Sequence, residues 1–202
     1  MEEKIENFWK FIIDQQDHYL HGLKRENKNF LLNPLLDKEL QIISKNLKAI
    51  ILNDNHPKIV FITKGNSYLK NVAFQIIQRI PKRIYLKPQI GIPPYPGNFQ
   101  ALNSSYSFLN QKNPIFQIYF SVHKIYRSSG KFHLNIFLSS YNKAIKKDQQ
   151  KALKIALLLF LGDDCFYKRI STIKIYLRKY KKLNFIPIDQ LKHLLLSPYF
   201  EH

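Results

Sequence analysis

"IFQIYFSVHKIYRSSGKFHLNIFLSS", residues 115–140, contains two runs of alternating apolar and polar residues joined by Arg-Ser-Ser-Gly. Period-two alternation on both sides of a short Gly-containing connection predicts a β-hairpin. Phe116, Ile118, Phe120 and Val122 then share a face with Phe132, Leu134, Ile136 and Leu138, and that face belongs to the core. Gln117, Tyr119, Ser121 and His123 fall on the other face with His133, Asn135 and Phe137. Pairing Val122 with Leu134, so that partner numbers sum to 256, sets His123 opposite His133. Two histidines need a third and fourth ligand to hold zinc. Residues 55–147 contain no Cys, Asp or Glu, so this face is read as polar and partly exposed.

Outward from the hairpin, helical and strand patterns alternate. Residues 5–22, "IENFWKFIIDQQDHYLHG", bring Ile5, Phe8, Trp9, Ile12, Ile13, Tyr19 and Leu20 to one side at helical spacing, with Gly22 as the stop. Residues 33–52 predict a second helix, with Asn33 as N-cap and Pro34 in the first turn. "HPKIVFITKGN" reads as a strand closed by a Gly-Asn turn, residues 67–80 as a helix capped by Ser67 and stopped before Pro81, and "KRIYLKPQIG" as a short strand. The stretch 92–113, with three prolines, reads as a long surface connection. Residues 146–161 predict a helix with Leu153, Ala156, Leu157, Phe160 and Leu161 inward.

The expected architecture is one α+β domain over residues 1–202 with a mixed sheet of four or five strands around the hairpin. Residues 1–54 are its helical N-terminal part, 55–182 its basic mixed part and 183–202 a C-terminal helix.

Gly162-Asp163-Asp164 follows the helix at 146–161. A metal-binding Gly-Asp-Asp turn requires a hairpin between two strands and a further carboxylate. A helix leads into this one, and no acid stands among the 93 residues before Asp148. Gly162 is therefore read as a helix end in the left-handed conformation, and no metal is expected. "TKGNS" lacks the repeated glycines of a phosphate loop. Asp14, His18 and His21 share a helix face, read as solvated. Cys165 has Lys168 and Arg169 nearby but no activating His at a motif spacing, and is expected to be a passive thiol. No cofactor is expected.

The chain has 202 residues and a net charge of +18, with 32 bases, 26 of them Lys, against 14 acids. Abundant Lys, Ile, Asn, Phe and Tyr with few Gly and Ala is the bias of an AT-rich genome, but such coding does not deplete acids. Residues 1–54 carry −1, residues 55–147 carry +14 without one acid, residues 148–182 carry +6 and residues 183–202 carry −1. A field of that sign attracts nucleic acid, acidic protein surfaces or anionic lipid. The lone Cys165 makes no internal disulfide, and "MEEKIENFW" lacks the basic and long apolar regions of a secretory signal, so a reduced, cytoplasmic setting is expected. The apolar run 155–161 is far shorter than the roughly 18 residues of a membrane span.

"NFWKFI", "HPKIVFITKGN", "IPKRIYLKPQIG", "FHLNIFLSSYNK", "ALLLFLGDDCFYKRISTIKIY" and "FIPIDQLKHLL", in that order, resemble a family of bacterial cytosolic α+β proteins of unassigned function. Its members open with Phe-Trp, end a strand in Thr-Ala-Glu-Gly and carry Leu-Gly-Glu-Tyr where this chain has Leu161-Gly162-Asp163-Asp164. This chain departs from the family in being basic and in having Lys64 at the acidic strand-end position. The resemblance implies a fold and carries across no catalytic residue.

Three function classes follow. The leading one is a non-enzymatic basic module that binds a polyanion, either nucleic acid or an acidic protein. A second is an inhibitor or immunity-type protein that neutralises one partner; an enzyme is third, for want of a nucleophile set or clustered carboxylates. Alternation in "ISTIKIYLRKY" puts Lys174, Tyr176 and Arg178 on one strand face. The expected polyanion surface is Lys168, Arg169, Lys174, Tyr176, Arg178, Lys179, Lys181 and Lys182, which combines phosphate contact with base stacking.

Overall fold

The computed structural model describes residues 1–25, 30–31, 33–53, 56–106, 118–126, 128–138, 146–176 and 183–196. The chain is α+β, with seven helices and eight strands among the described residues. It divides into two compact units, Met1–Ile92 and Pro93–His202. The strands form two four-stranded sheets, where the sequence predicts one of four or five.

In the first unit α1 (Glu2–Arg25) runs straight through Gly22. A Cβ at Gly22 would meet nothing within 4 Å, and burial of Leu23 beyond it outweighs the roughly 1 kcal/mol that a helical Gly costs. Ile5, Phe8, Trp9, Ile12, Tyr19 and Leu23 form its buried stripe. The Trp9 indole donates to the Ile76 carbonyl at 2.9 Å, which gives the buried N–H its partner. Gln16, also buried, donates to the Arg83 carbonyl at 3.2 Å and accepts from the Tyr85 amide at 3.0 Å.

The expected second helix over 33–52 is two elements. After β1 (Phe30–Leu31), α2 (Pro34–Ile43) is capped by Asn33, whose side chain accepts from Leu35 and Leu36 amides. Ser44 then takes an extended conformation, and β2 (Lys48–Asn53) follows. Ala49, Ile50, Ile51 and Leu52 are all buried. A strand covered on both faces reads as a continuous apolar run, which helical periodicity cannot tell from a helix.

β2 pairs antiparallel with β3 (Pro57–Ile62), and β3 pairs parallel with β4 (Lys87–Ile90) across the crossover helix α3 (Ser67–Gln78). The cap of α3 is Asn66, one residue before the expected Ser67; its Oδ1 accepts from the Leu69 amide at 3.1 Å. The turn between β3 and α3 has Lys64 at φ 54° and Gly65 at φ 67°.

The second unit contains the hairpin, as expected: β5 (Ile118–Tyr126) and β6 (Lys131–Leu138). From Ile118↔Leu138 to Val122↔Leu134 the register follows the predicted sum. A bulge between Val122 and Lys124 then shifts the pairing to Lys124↔His133, leaving His123 as the extra residue. α5 (Lys146–Leu161) has the predicted bounds, and Leu153, Ala156, Leu157, Phe160 and Leu161 are buried as predicted. Gly162 ends it at φ 81°, its amide donating to the Leu158 carbonyl at 2.9 Å.

Asp163 and Asp164 then open a second helix, α6 (Asp163–Arg169), where no further helix is expected from sequence. β7 (Ile170–Tyr176) pairs parallel with β6, and β8 (Ile186–Pro187) pairs antiparallel with β5. The sheet order is β7-β6-β5-β8. Within the expected connection 92–113 lies α4 (Phe99–Tyr106). Asn98 accepts from the Ala101 amide at 2.8 Å, and Phe99 and Leu102 are buried. The C-terminal helix is shorter than expected: α7 is Gln190–Leu195.

Candidate nucleic-acid interface

The register of β5, β6 and β7 sets the outward residues of the second sheet in rows. Tyr119 stands opposite Phe137, and Phe137 opposite Tyr176. The Tyr119 and Phe137 rings are 6.1 Å apart. Phe185, just before β8, adds a fourth ring 5.8 Å from Phe137 and 6.5 Å from Tyr176. All four are half-buried. The next row is Ser121, Asn135 and Lys174. Lys174 is exposed, with its ammonium 5.4 Å from the centre of the Tyr176 ring, a cation–π distance. The third row is Lys124, His133 and Thr172, with His123 bulged out beside it.

The bulge does not separate the histidines. Their ring centroids are 4.8 Å apart, edge to face. Lys124 is exposed and lies 4.9 Å over the Tyr126 ring. The His133 imidazole is held below its ordinary value, first by burial and then by the positive neighbours His123, Lys174 and Lys124. β5, β6, β7 and β8 contain no Asp or Glu.

Asn135 is 1% exposed at the centre of this face. Its Nδ2 lies 3.5 Å from the Ser121 hydroxyl, and its Oδ1 has no hydrogen-bond partner among the described residues. A buried acceptor left unsatisfied costs about 1–3 kcal/mol.

Of the polyanion residues expected from sequence, Lys174 and Tyr176 stand together on this face. Lys168 and Arg169 belong to the last turn of α6. The Lys168 ammonium is 3.8 Å from the Asp164 carboxylate, and the Arg169 charge bears on the Cys165 thiol. Arg178, Lys179, Lys181 and Lys182 lie outside the described residues. The parallel β6–β7 pairing adds Tyr119, His123, Lys124, His133, Asn135 and Phe137 to Lys174 and Tyr176. The hairpin alternation already sorts most of them onto one face, but it carries no information on which strand lies beside β6.

Asp163 is 1% exposed at the start of α6, where a carboxylate is favoured by the helix dipole. Burial pushes the Cys165 thiol up, opposed by Arg169 and Lys192. The Lys192 ammonium donates to the Tyr95 carbonyl and lies 4.7 Å over the Phe160 ring; burial lowers its pKa, against the pull of Asp189 and Cys165. Asp14, His18 and His21 are exposed. Among the described residues no three or more His, Cys, Asp or Glu side chains group as a metal site. No described helix is long and apolar enough to cross a membrane.

The chain matches no protein-family model, no curated protein and no solved structure.

Proposed function

We propose that the protein is a non-enzymatic polyanion-binding module whose ligand is single-stranded nucleic acid, held on the outward face of β5, β6 and β7. One observation carries this reading: an in-register row of three aromatic rings lies beside Lys174 on a sheet whose four strands contain no carboxylate. Rings stack bases irrespective of sequence, and lysines take the phosphates. An acidic protein surface would also use the lysines; the row of rings favours a ligand whose bases stack on them.

The same reading assigns Arg178, Lys179, Lys181 and Lys182, which follow β7 in sequence, to the phosphate path. It also sets the chain in the cytoplasm, as a relative of the bacterial family that it resembles through Phe8-Trp9 and Leu161-Gly162-Asp163-Asp164.

Fluorescence anisotropy with labelled single-stranded and duplex DNA and RNA tests the proposal. Single strands should bind more tightly than duplexes. With five phosphate contacts, affinity should fall about 10²-fold between about 50 and about 200 mM salt. Joint replacement Lys124→Gln and Lys174→Gln should weaken binding and flatten that slope. Affinity weaker than about 100 μM at low salt for all four probes, or no effect of the double replacement, would overturn the reading and bring the protein-neutralising alternative forward.

A further inference from the structure

We infer that the His123–His133 pair at the β5 bulge, flanked by Lys124 and Lys174, is a phosphate subsite whose occupancy is coupled to proton uptake. The inference rests on the nucleic-acid reading above and adds its regulation. Four basic side chains meet where the bulge brings an extra residue to one face: His123 and Lys124 from β5, His133 from β6 and Lys174 from β7. The imidazoles are in edge-to-face contact at 4.8 Å. Every charged neighbour acting on His133 is positive, and no strand of the sheet offers a carboxylate to offset them.

In that setting His133 resists protonation. Without an anion, His133 remains neutral below the pH at which an ordinary imidazole charges. A phosphate seated against the edges of both rings reverses the balance. Imidazolium N–H groups become charge-assisted donors to its oxygens, and the negative charge raises the His133 pKa that burial and then the positive neighbours lower. Binding then takes up protons, and by linkage affinity rises as pH falls, by up to about tenfold per pH unit for each proton taken up. An ordinary lysine-lined groove has no such dependence in this range, because lysines are fully charged throughout it.

The experiment has two arms on the full chain. In the first, anisotropy with a labelled oligothymidylate, whose bases do not titrate in the range used, is read at about pH 5.5 and about pH 7.5 at fixed ionic strength. Wild type should bind at least several-fold more tightly at the lower pH. The joint variant His123→Gln and His133→Gln should lose that pH dependence and bind comparably at both. In the second arm, the His133 ring is titrated by proton NMR with and without inorganic tripolyphosphate, which should raise its pKa. Oligonucleotide binding without pH dependence, and without a tripolyphosphate-induced rise, overturns this inference and leaves the nucleic-acid reading standing. A tripolyphosphate-induced rise with no oligonucleotide binding supports the anion subsite and overturns the nucleic-acid reading. Failure of both arms overturns both.

Discussion

Tyr19 shows what a single buried atom does to the first unit. Its side chain is fully buried among α1 and its neighbours, and the hydroxyl has no hydrogen-bond partner among the described residues. Burial and the Glu39 carboxylate push its pKa up to about 12, so the phenol stays neutral and its cost is desolvation alone. Replacing a buried unsatisfied group by an apolar one of the same shape removes that cost. Tyr19→Phe should therefore stabilise the protein, by about 1 kcal/mol, measured as a higher midpoint in urea with an unchanged slope. A lower midpoint would mean that the hydroxyl has a partner in solution. His133 provides the complementary case on the second sheet. Its folded-state pKa is depressed below that of an unfolded imidazole, so the unfolded chain binds more protons as pH falls below about 6.5. That erodes stability on the acid side in the free protein.

At the scale of elements, the α5–α6 junction depends on Gly162. Its φ of 81° and ψ of 161° lie in a region that essentially only glycine occupies. Continuing from α5 to α6 without a loop requires that one reversal. Gly162→Ala should destabilise the protein by about 1–3 kcal/mol, seen as a lowered denaturation midpoint, whereas Gly22→Ala within α1 should be neutral or mildly stabilising. Equal effects at the two positions would contradict this account. The junction also shows how far sequence reasoning reaches. The glycine signal for the end of α5 is local and was readable; the helix that follows was not, because seven residues carry too little periodicity to announce themselves. α4 was hidden for a related reason: its Asn and Ser residues look like loop until Phe99 and Leu102 are seen to be buried. In the hairpin, alternation determined the register as far as Val122. The bulge at His123 escaped because pairing geometry, not residue type, decides where an extra residue is accommodated.

Across the whole molecule, charge is distributed unequally between the two units. Residues 1–92 hold 15 bases and nine acids, a net +6, while residues 93–202 hold 17 bases and five acids, a net +12, which together make the chain's +18. The unit with the larger excess is the one that presents the aromatic row. The face proposed for binding joins the hairpin, whose outward residues could be sorted from sequence, to β7, whose place beside β6 depends on a crossover through α5 and α6 that no local pattern encodes. Nitrogen–proton correlation NMR during titration with a short single-stranded oligonucleotide tests the central claim most directly, because every backbone amide reports at once. The account predicts that the largest shifts fall within residues 119–137 and 172–176, and that residues 1–92 stay in place. Shifts centred in residues 1–92, or no shifts at oligonucleotide concentrations above about 100 μM, would contradict it.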